Sequence, residues 1–328
     1  MRQSFIKMVT LTIGSFGLLL LLIAPHLCHA QADFPNKVVK VISPFPAAAF
    51  TDGIARVYLK ELQDRLGQPF ILDYKPGAST NIGASFVSSA PPDGYTLFIS
   101  TLASHALNKW SYKNLNYDVE KMTNVGMMGV NAFYVVVKAD SPYKNLQDLI
   151  RAAKESPTGL TFGSHGNGGA NHLITELFRE QTGISKLLHV PYKGGESHID
   201  LMSGRIDFMI DGAAINHVNS GKLRALATAY PKRWPTQPQI PTTTELGYPD
   251  VTIATFFGLS APPNTPVAIL EKLNKTMREI AKDPEVEKKL LAISVMPIPM
   301  TRQETDTFIK QQSDKWRPVL KTLNIAFE

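Results

Sequence analysis

Gly163-Ser164-His165-Gly166-Asn167-Gly168-Gly169-Ala170-Asn171-His172 follows a short apolar run, Leu160-Thr161-Phe162, and leads into a helical pattern at Leu173, Leu177 and Phe178. The order is strand, glycine-rich turn, helix. Such a turn leaves backbone N–H groups pointing at one spot, and the helix N-terminus adds partial positive charge there. The stretch therefore reads as a seat for an anion on an α/β scaffold.

The same alternation runs outward in both directions. Val38 to Ile42 is a compact apolar strand. A helix capped by Thr51 or Asp52 follows, with an inner face of Ile54, Tyr58, Leu62 and Leu66 and a stop at Gly67. Strands are expected at Phe70 to Tyr74, Tyr95 to Ile99, Val125 to Val130 and Phe133 to Lys138, with a short helix over Asn81 to Ala90. Asn145 caps a helix whose inner face is Leu146, Leu149, Ile150 and Ala153. Beyond the glycine turn come strands at Leu187 to Tyr192, Ile206 to Ile210, Leu223 to Ala229 and Ile253 to Ser260. Glu196 to Ser203 is a short helix between the first two, and an irregular proline-rich stretch, Pro231 to Pro249, precedes the last. Two helices close the chain, near Pro266 to Lys282 and Arg302 to Leu323. Repeated βα units with short connections imply mostly parallel sheets covered by helices.

Arg2 and Lys7, the apolar stretch Val9 to Ile23 and Ala30-Gln31-Ala32 have the layout of a cleavable export signal over residues 1–32. Pro25 follows the apolar stretch too soon for a spanning helix. The single cysteine, Cys28, falls inside this leader and lacks the small neighbours of a lipidated cysteine. A chain exported to the periplasm would then carry neither disulfide nor thiol chemistry. About 300 residues remain, which suits two domains. The 34 basic residues exceed the 28 acidic ones only modestly, with no dense basic block, so an anionic small ligand fits and nucleic acid does not.

The glycine turn is not a dinucleotide fingerprint, because the third glycine is misplaced after Gly166-Asn167-Gly168. No Gly-Lys-Ser/Thr element occurs. His165 and His172 are seven apart, His189, His198 and His217 are scattered, and no His-Glu-x-x-His run exists, so neither metal nor cofactor is expected. Ser164 and His165 are adjacent, which suits a nucleophile and its base poorly, yet they leave a hydrolase as the rival class. His172 is read as a helix residue bracing the turn. Asp52 is read as a cap or loop brace, and Asp207 and Asp211 as loop braces near a cleft. Tyr192 is a candidate cleft wall, Lys193 a candidate partner for a carboxylate, and Phe50 and Phe257 candidate lining or core.

Several pieces then line up in order. They are Val41-Ile42-Ser43-Pro44-Phe45-Pro46 with Thr51-Asp52 and Ala55-Arg56; Pro76-Gly77-Ala78 with Asn81-Ile82-Gly83; and Pro91-Pro92-Asp93-Gly94-Tyr95-Thr96-Leu97. Gly163-Ser164 to His172-Leu173, His189-Val190-Pro191-Tyr192-Lys193-Gly194, Gly221 to Ala227 and Pro241-Thr242 with Glu245-Leu246-Gly247 follow. In this order and spacing the chain resembles the periplasmic solute-binding receptors of tripartite tricarboxylate transporters, often called the Bug family.

The resemblance implies a two-domain periplasmic-binding-protein-like α/β fold with hinge strands and the ligand in an interdomain cleft. One domain would hold residues 33–130 with 254–328, the other 131–253. It implies a small organic carboxylate, aliphatic or aromatic, held by two loops and passed to membrane transporter subunits by a monomeric, non-enzymatic receptor. A signalling sensor with the same binding step is the alternative. One loop would be Pro46, Ala47, Ala48, Ala49, Phe50, Thr51 and Asp52. The other would be Ser164, His165, Gly166, Asn167, Gly168 and Gly169. Asn81, Ser100 and Thr101 would border the cleft. The family pattern has prolines and glycines where this chain has Ala47-Ala48-Ala49, which keeps the N–H donors and removes positive-φ freedom.

Overall fold

The computed structural model describes residues 34–192 and 196–322. The expected leader over 1–32, Lys193 and the helix end at Leu323 lie outside the described residues.

The first part of the chain runs β1 (Val39–Ser43), α1 (Phe50–Leu66), β2 (Phe70–Tyr74), α2 (Asn81–Ser88), β3 (Thr96–Thr101), α3 (Asn108–Ser111) and β4 (Thr123–Ala132). The middle runs β5 (Tyr134–Lys138), α4 (Leu146–Glu155), β6 (Leu160–Ser164), α5 (Ala170–Thr182), β7 (Leu187–Pro191), α6 (Glu196–Ser203), β8 (Phe208–Asp211), α7 (Ile215–Asn219) and β9 (Leu223–Thr228). The last part runs β10 (Ala254–Ala261), α8 (Val267–Ala281), α9 (Pro284–Ala292), β11 (Val295–Met296) and α10 (Arg302–Thr322).

The local reasons are those of the sequence. Ile54, Tyr58 and Leu62 recur every four residues, so α1 buries one face. Gly67, at φ 74°, ends it in the left-handed conformation. The Asn145 side chain accepts the Asp148 N–H and starts α4. Unforeseen in the sequence, α9 is started by Asp283, which accepts the Glu285 N–H, with Pro284 in the first turn.

Two sheets form, in the orders β11-β4-β10-β3-β1-β2 and β7-β6-β8-β5-β9. Parallel pairing joins β1 to β2 and β3, and β6 to β7 and β8, as the βα units require. The sheets are more mixed than that alternation suggests, because β10 pairs antiparallel with β3 and β4, β11 with β4, and β5 with β8 and β9. Of these strands, β5 and β10 follow crossings of the chain between the sheets rather than helical crossovers, so nothing forces them parallel.

The crossings sit close together. Only Phe133 separates β4 in one sheet from β5 in the other. Its carbonyl accepts the Ala229 N–H at 2.7 Å, and the Ala229 carbonyl accepts the Ile253 N–H at 2.9 Å. The outgoing and returning chains are thus hydrogen-bonded to each other. The C-terminal helix adds a third tie. In α10, Ile309, Trp316 and Leu320 join a core cluster that contains Val135 and Phe208 of one sheet and Met127 and Val130 of the other. Lys315 Nζ donates to the Thr252 carbonyl at 2.8 Å.

Trp316 has no exposed surface and is the largest apolar group that α10 places in this shared core. Trp316→Ala should lower the unfolding free energy by roughly 3–5 kcal/mol, read by chemical denaturation. A loss below about 1 kcal/mol would show that α10 does not tie the two sheets.

Candidate functional site

Ligands of open α/β sheets lie beyond the carboxyl ends of parallel strands. The loops after β1 and β6 are such places. Each strand has a parallel neighbour on one or both sides, and each loop runs into a long helix that starts without a side-chain cap. In α1 the Asp52 N–H already donates to the Ala49 carbonyl at 2.9 Å, and in α5 the Leu173 N–H donates to the Gly169 carbonyl at 3.0 Å. The N–H groups ahead of these have no acceptor within their own helix, and both dipoles present positive charge there.

In the first loop, Asp52 is a brace and not the N-cap, which is Ala49. The buried Asp52 Oδ2 reaches back to accept the Ala48 N–H at 2.9 Å and the Tyr74 hydroxyl at 3.0 Å, with Arg56 at 3.6 Å. Its Oδ1 is buried with no partner. Ala48 sits at φ 62°. The left-handed geometry that glycine would adopt freely is thus kept in an alanine loop, at a cost of about 1 kcal/mol. Ala47, Ala48, Ala49, Phe50 and Asp52 line a cavity of about 490 Å³ with Gly53, Arg56, Ile293 and, from α7 beside the other sheet, Asn216. Pro46 is exposed next to it and Thr51 is buried behind it. Phe50 packs on Phe257 at 5.9 Å between centroids, and Phe257 belongs to the core.

Asn81 leads α2 from a strained turn. Ala78, Ser79 and Thr80 all have positive φ, 45°, 49° and 79°. Buried Asn108 holds this turn, its Nδ2 lying 2.7 Å from the Ser79 carbonyl and 2.5 Å from Asn81 Oδ1. The Tyr117 hydroxyl also lies 3.2 Å from Asn81 Oδ1. Ser100 and Thr101 are both buried at the end of β3, and the Thr101 N–H donates to Ser104 Oγ at 3.0 Å. Asn108 and the strained turn were not foreseen in the sequence, since a run of Ala, Ser and Thr gives no sign of left-handed backbone.

In the second loop, Gly166 and Gly168 have φ of 120° and 70°, which is the steric need for glycine there. Gly163 serves packing instead, because a Cβ would meet Ile206 Cδ1 at 2.5 Å. Gly169 is the N-cap, and Asn167 is exposed at the tip. His172 braces the turn as expected, its Nδ1 accepting the Gly168 N–H at 3.0 Å. The His172 ring stacks on His189 at 4.0 Å, and His189 stacks on Phe162 at 4.8 Å. Burial lowers both imidazoles, and His189, next to His172, falls to about 4. Tyr192 continues β7 by donating its N–H to the Ser164 carbonyl, while its hydroxyl donates to Asp200 Oδ2 at 2.8 Å.

The Ser164–His165 pair does not form. Ser164 is wholly buried, with Oγ 2.6 Å from His189 Nε2 and 3.0 Å from the Gly166 carbonyl. His165 turns the other way, its Nε2 lying 2.9 Å from Asp211 Oδ2. His198, scattered in sequence, meets the same oxygen at 2.7 Å. Asp211 braces the loop as expected, and its two imidazoles hold its carboxyl well below the usual carboxylate range despite burial that opposes this. Asp207 braces the start of β6 by accepting the Thr161 N–H and hydroxyl, both at 2.7 Å. A second cavity of about 610 Å³ lies away from both loops, beside His105, Asn124 and α10.

A protein-family model described as "Tripartite tricarboxylate transporter family receptor" matches residues 54–325. Protein BugT of Bordetella pertussis is 32% identical over 293 residues, covering 88% of this chain and 90% of its own. Among solved structures, Rpa4515 of R. palustris with adipate has a TM-score of 0.84 at 33% identity, covering 89% of this chain and 99% of its own. MatC of Rhodopseudomonas palustris with bound malate has a TM-score of 0.79 at 26% identity, covering 88% and 100%.

The second loop carries a pH prediction. His172 and His189 are held neutral in the folded chain and titrate near 6.5 when unfolded, so the unfolded state takes up more protons as pH falls. Stability should be full above pH 6.5 and fall progressively toward about pH 4, by roughly 1–2 kcal/mol once solvent screening is allowed for. His172→Gln with His189→Gln should flatten that slope in urea titrations, and an unchanged slope contradicts the assignment. Ala48→Gly should stabilise the chain by roughly 0.5–1 kcal/mol by relieving the left-handed alanine. Destabilisation would mean that the loop does not hold this conformation.

Proposed function

The chain belongs to the tripartite tricarboxylate transporter receptor family, and on that premise we propose that it captures a small aliphatic dicarboxylate and delivers it to membrane transporter subunits. One observation carries the reading. Two uncapped helix N-termini, those of α1 and α5, each follow a strand that pairs parallel in its sheet. Two separate clusters of backbone donors match a ligand with an anion at each end. Adipate and malate, bound by the neighbours Rpa4515 and MatC, are both short dicarboxylates.

In this reading the loop 46–52 and the loop 164–169 are the two jaws. Asn81 and Tyr192 border the site, and Asp52, His172 and Asp211 hold the jaws without touching the ligand. The close-set crossings at Phe133, Ala229 and Ile253 serve as the hinge about which the 33–130/254–328 and 131–253 halves close. Binding without turnover is supported by Ser164, which is wholly buried and turned from His165. Periplasmic residence is supported by the leader pattern over 1–32, and no helix among the described residues is long and apolar enough to cross a membrane.

Adipate and malate titrated into the chain should give saturable heat and a raised Tm, with no product formed. Ala47→Asp places a like charge in the exposed first loop and should weaken binding by about tenfold or more. Binding of neither acid, or an affinity untouched by Ala47→Asp, would contradict the reading.

A further inference from the structure

His165, His198 and Asp211 come from three separate elements, the glycine turn, α6 and the end of β8. Their ligand atoms all lie within 4.8 Å of one another. Both imidazoles address the same carboxylate oxygen through Nε2, at 2.9 and 2.7 Å. The other oxygen, Oδ1, accepts the Ala213 N–H at 3.0 Å, which fixes the carboxylate plane and aims Oδ2 at the imidazoles. His198 is set in turn by edge-on packing against His217 at 5.1 Å.

We propose that His165, His198 and Asp211 form a binding site for one divalent transition-metal ion of the zinc or nickel type. Two imidazole nitrogens with one carboxylate oxygen are a borderline donor set that suits such ions and not magnesium or calcium. Metal bonds of about 2.0–2.2 Å place neighbouring donors about 3–3.5 Å apart, so the observed trio needs only small side-chain shifts to enclose an ion. Exposure is graded, with side-chain values of 4% for Asp211, 11% for His198 and 35% for His165. An ion held there would be covered on the Asp211 side, and among the described residues its remaining coordination positions would face the more exposed His165. Those positions lie at the second jaw, and, resting on the dicarboxylate reading above, a ligand carboxylate completes the coordination there. A doubly charged ion beside a single carboxylate also leaves net positive charge at the jaw, which favours an anionic partner.

The test is calorimetry with zinc chloride and nickel chloride on the full mature chain, freed of its affinity tag and of metal by chelator. The expected result is 1:1 binding that weakens about 100-fold or more in His165→Ala and in Asp211→Asn. His165→Ala alters an exposed residue, and circular dichroism of both variants checks that the fold persists. Anomalous scattering from a nickel-soaked crystal should place the ion between the three side chains. No saturable binding, equal affinity in both folded variants, or an ion elsewhere overturns the proposal. Adipate titrated with chelator present and with zinc present separates the two readings. Adipate binding without any metal binding sinks only the metal site. Metal binding without any dicarboxylate binding sinks the dicarboxylate and its part in the coordination.

Discussion

A helix cannot satisfy its own first N–H groups, and the two helices that matter most here begin with nothing attached to supply the missing acceptors. Ala49 and Gly169 are the N-caps of α1 and α5, and neither makes a side-chain cap. Stability alone would favour Ser, Thr, Asp or Asn at such positions, by about 1 kcal/mol each. The polar groups nearby hold the loops and leave the helix ends open. Asp52 ties Ala48, His172 ties Gly168, and Asp211 ties His165. Each carries its hydrogen bond on the loop that precedes or follows the helix start. The donors left over are those that the proposed ligand would take.

Strain sits where this arrangement needs it. Ala48 and the run Ala78 to Thr80 occupy left-handed backbone without glycine, each next to a loop at the carboxyl end of the first sheet. Buried Asn108 and Asp52 hold these turns with side-chain hydrogen bonds. Such backbone persists only when its surroundings over-determine it. The shared core around Trp316 and the paired crossings at Phe133 and Ala229 join the two sheets behind the loops.

Much of the fold is legible in the sequence because its signals are local. The four-residue period of Ile54, Tyr58 and Leu62, the Asn145 cap and the Gly67 stop each act over a few residues. The start of α9 was also written locally, as Asp283-Pro284, but its apolar face is only Val286 and Leu290 and so is easily passed over. Strand direction is less legible, since β10 pairs antiparallel with strands far away in the chain. The candidate loops could be read from turn chemistry and from the family resemblance. Their internal wiring could not. His165 and Asp211 come together because β6 and β8 pair in parallel register, with Gly163 opposite Met209, and α6 brings His198 to them. Adjacency in sequence left a Ser164–His165 pair as a rival reading, whereas Ser164 meets His189.

In the proposed function, backbone donors at the starts of α1 and α5 receive the two ends of an anionic ligand. A crystal structure of the chain with adipate tests it most directly. One carboxylate should lie within hydrogen-bond distance of the N–H groups of Ala47, Phe50 or Thr51, and the other within reach of those of Ala170, Asn171 or His172. Adipate bound away from both turns, for instance in the cavity beside His105, would contradict it.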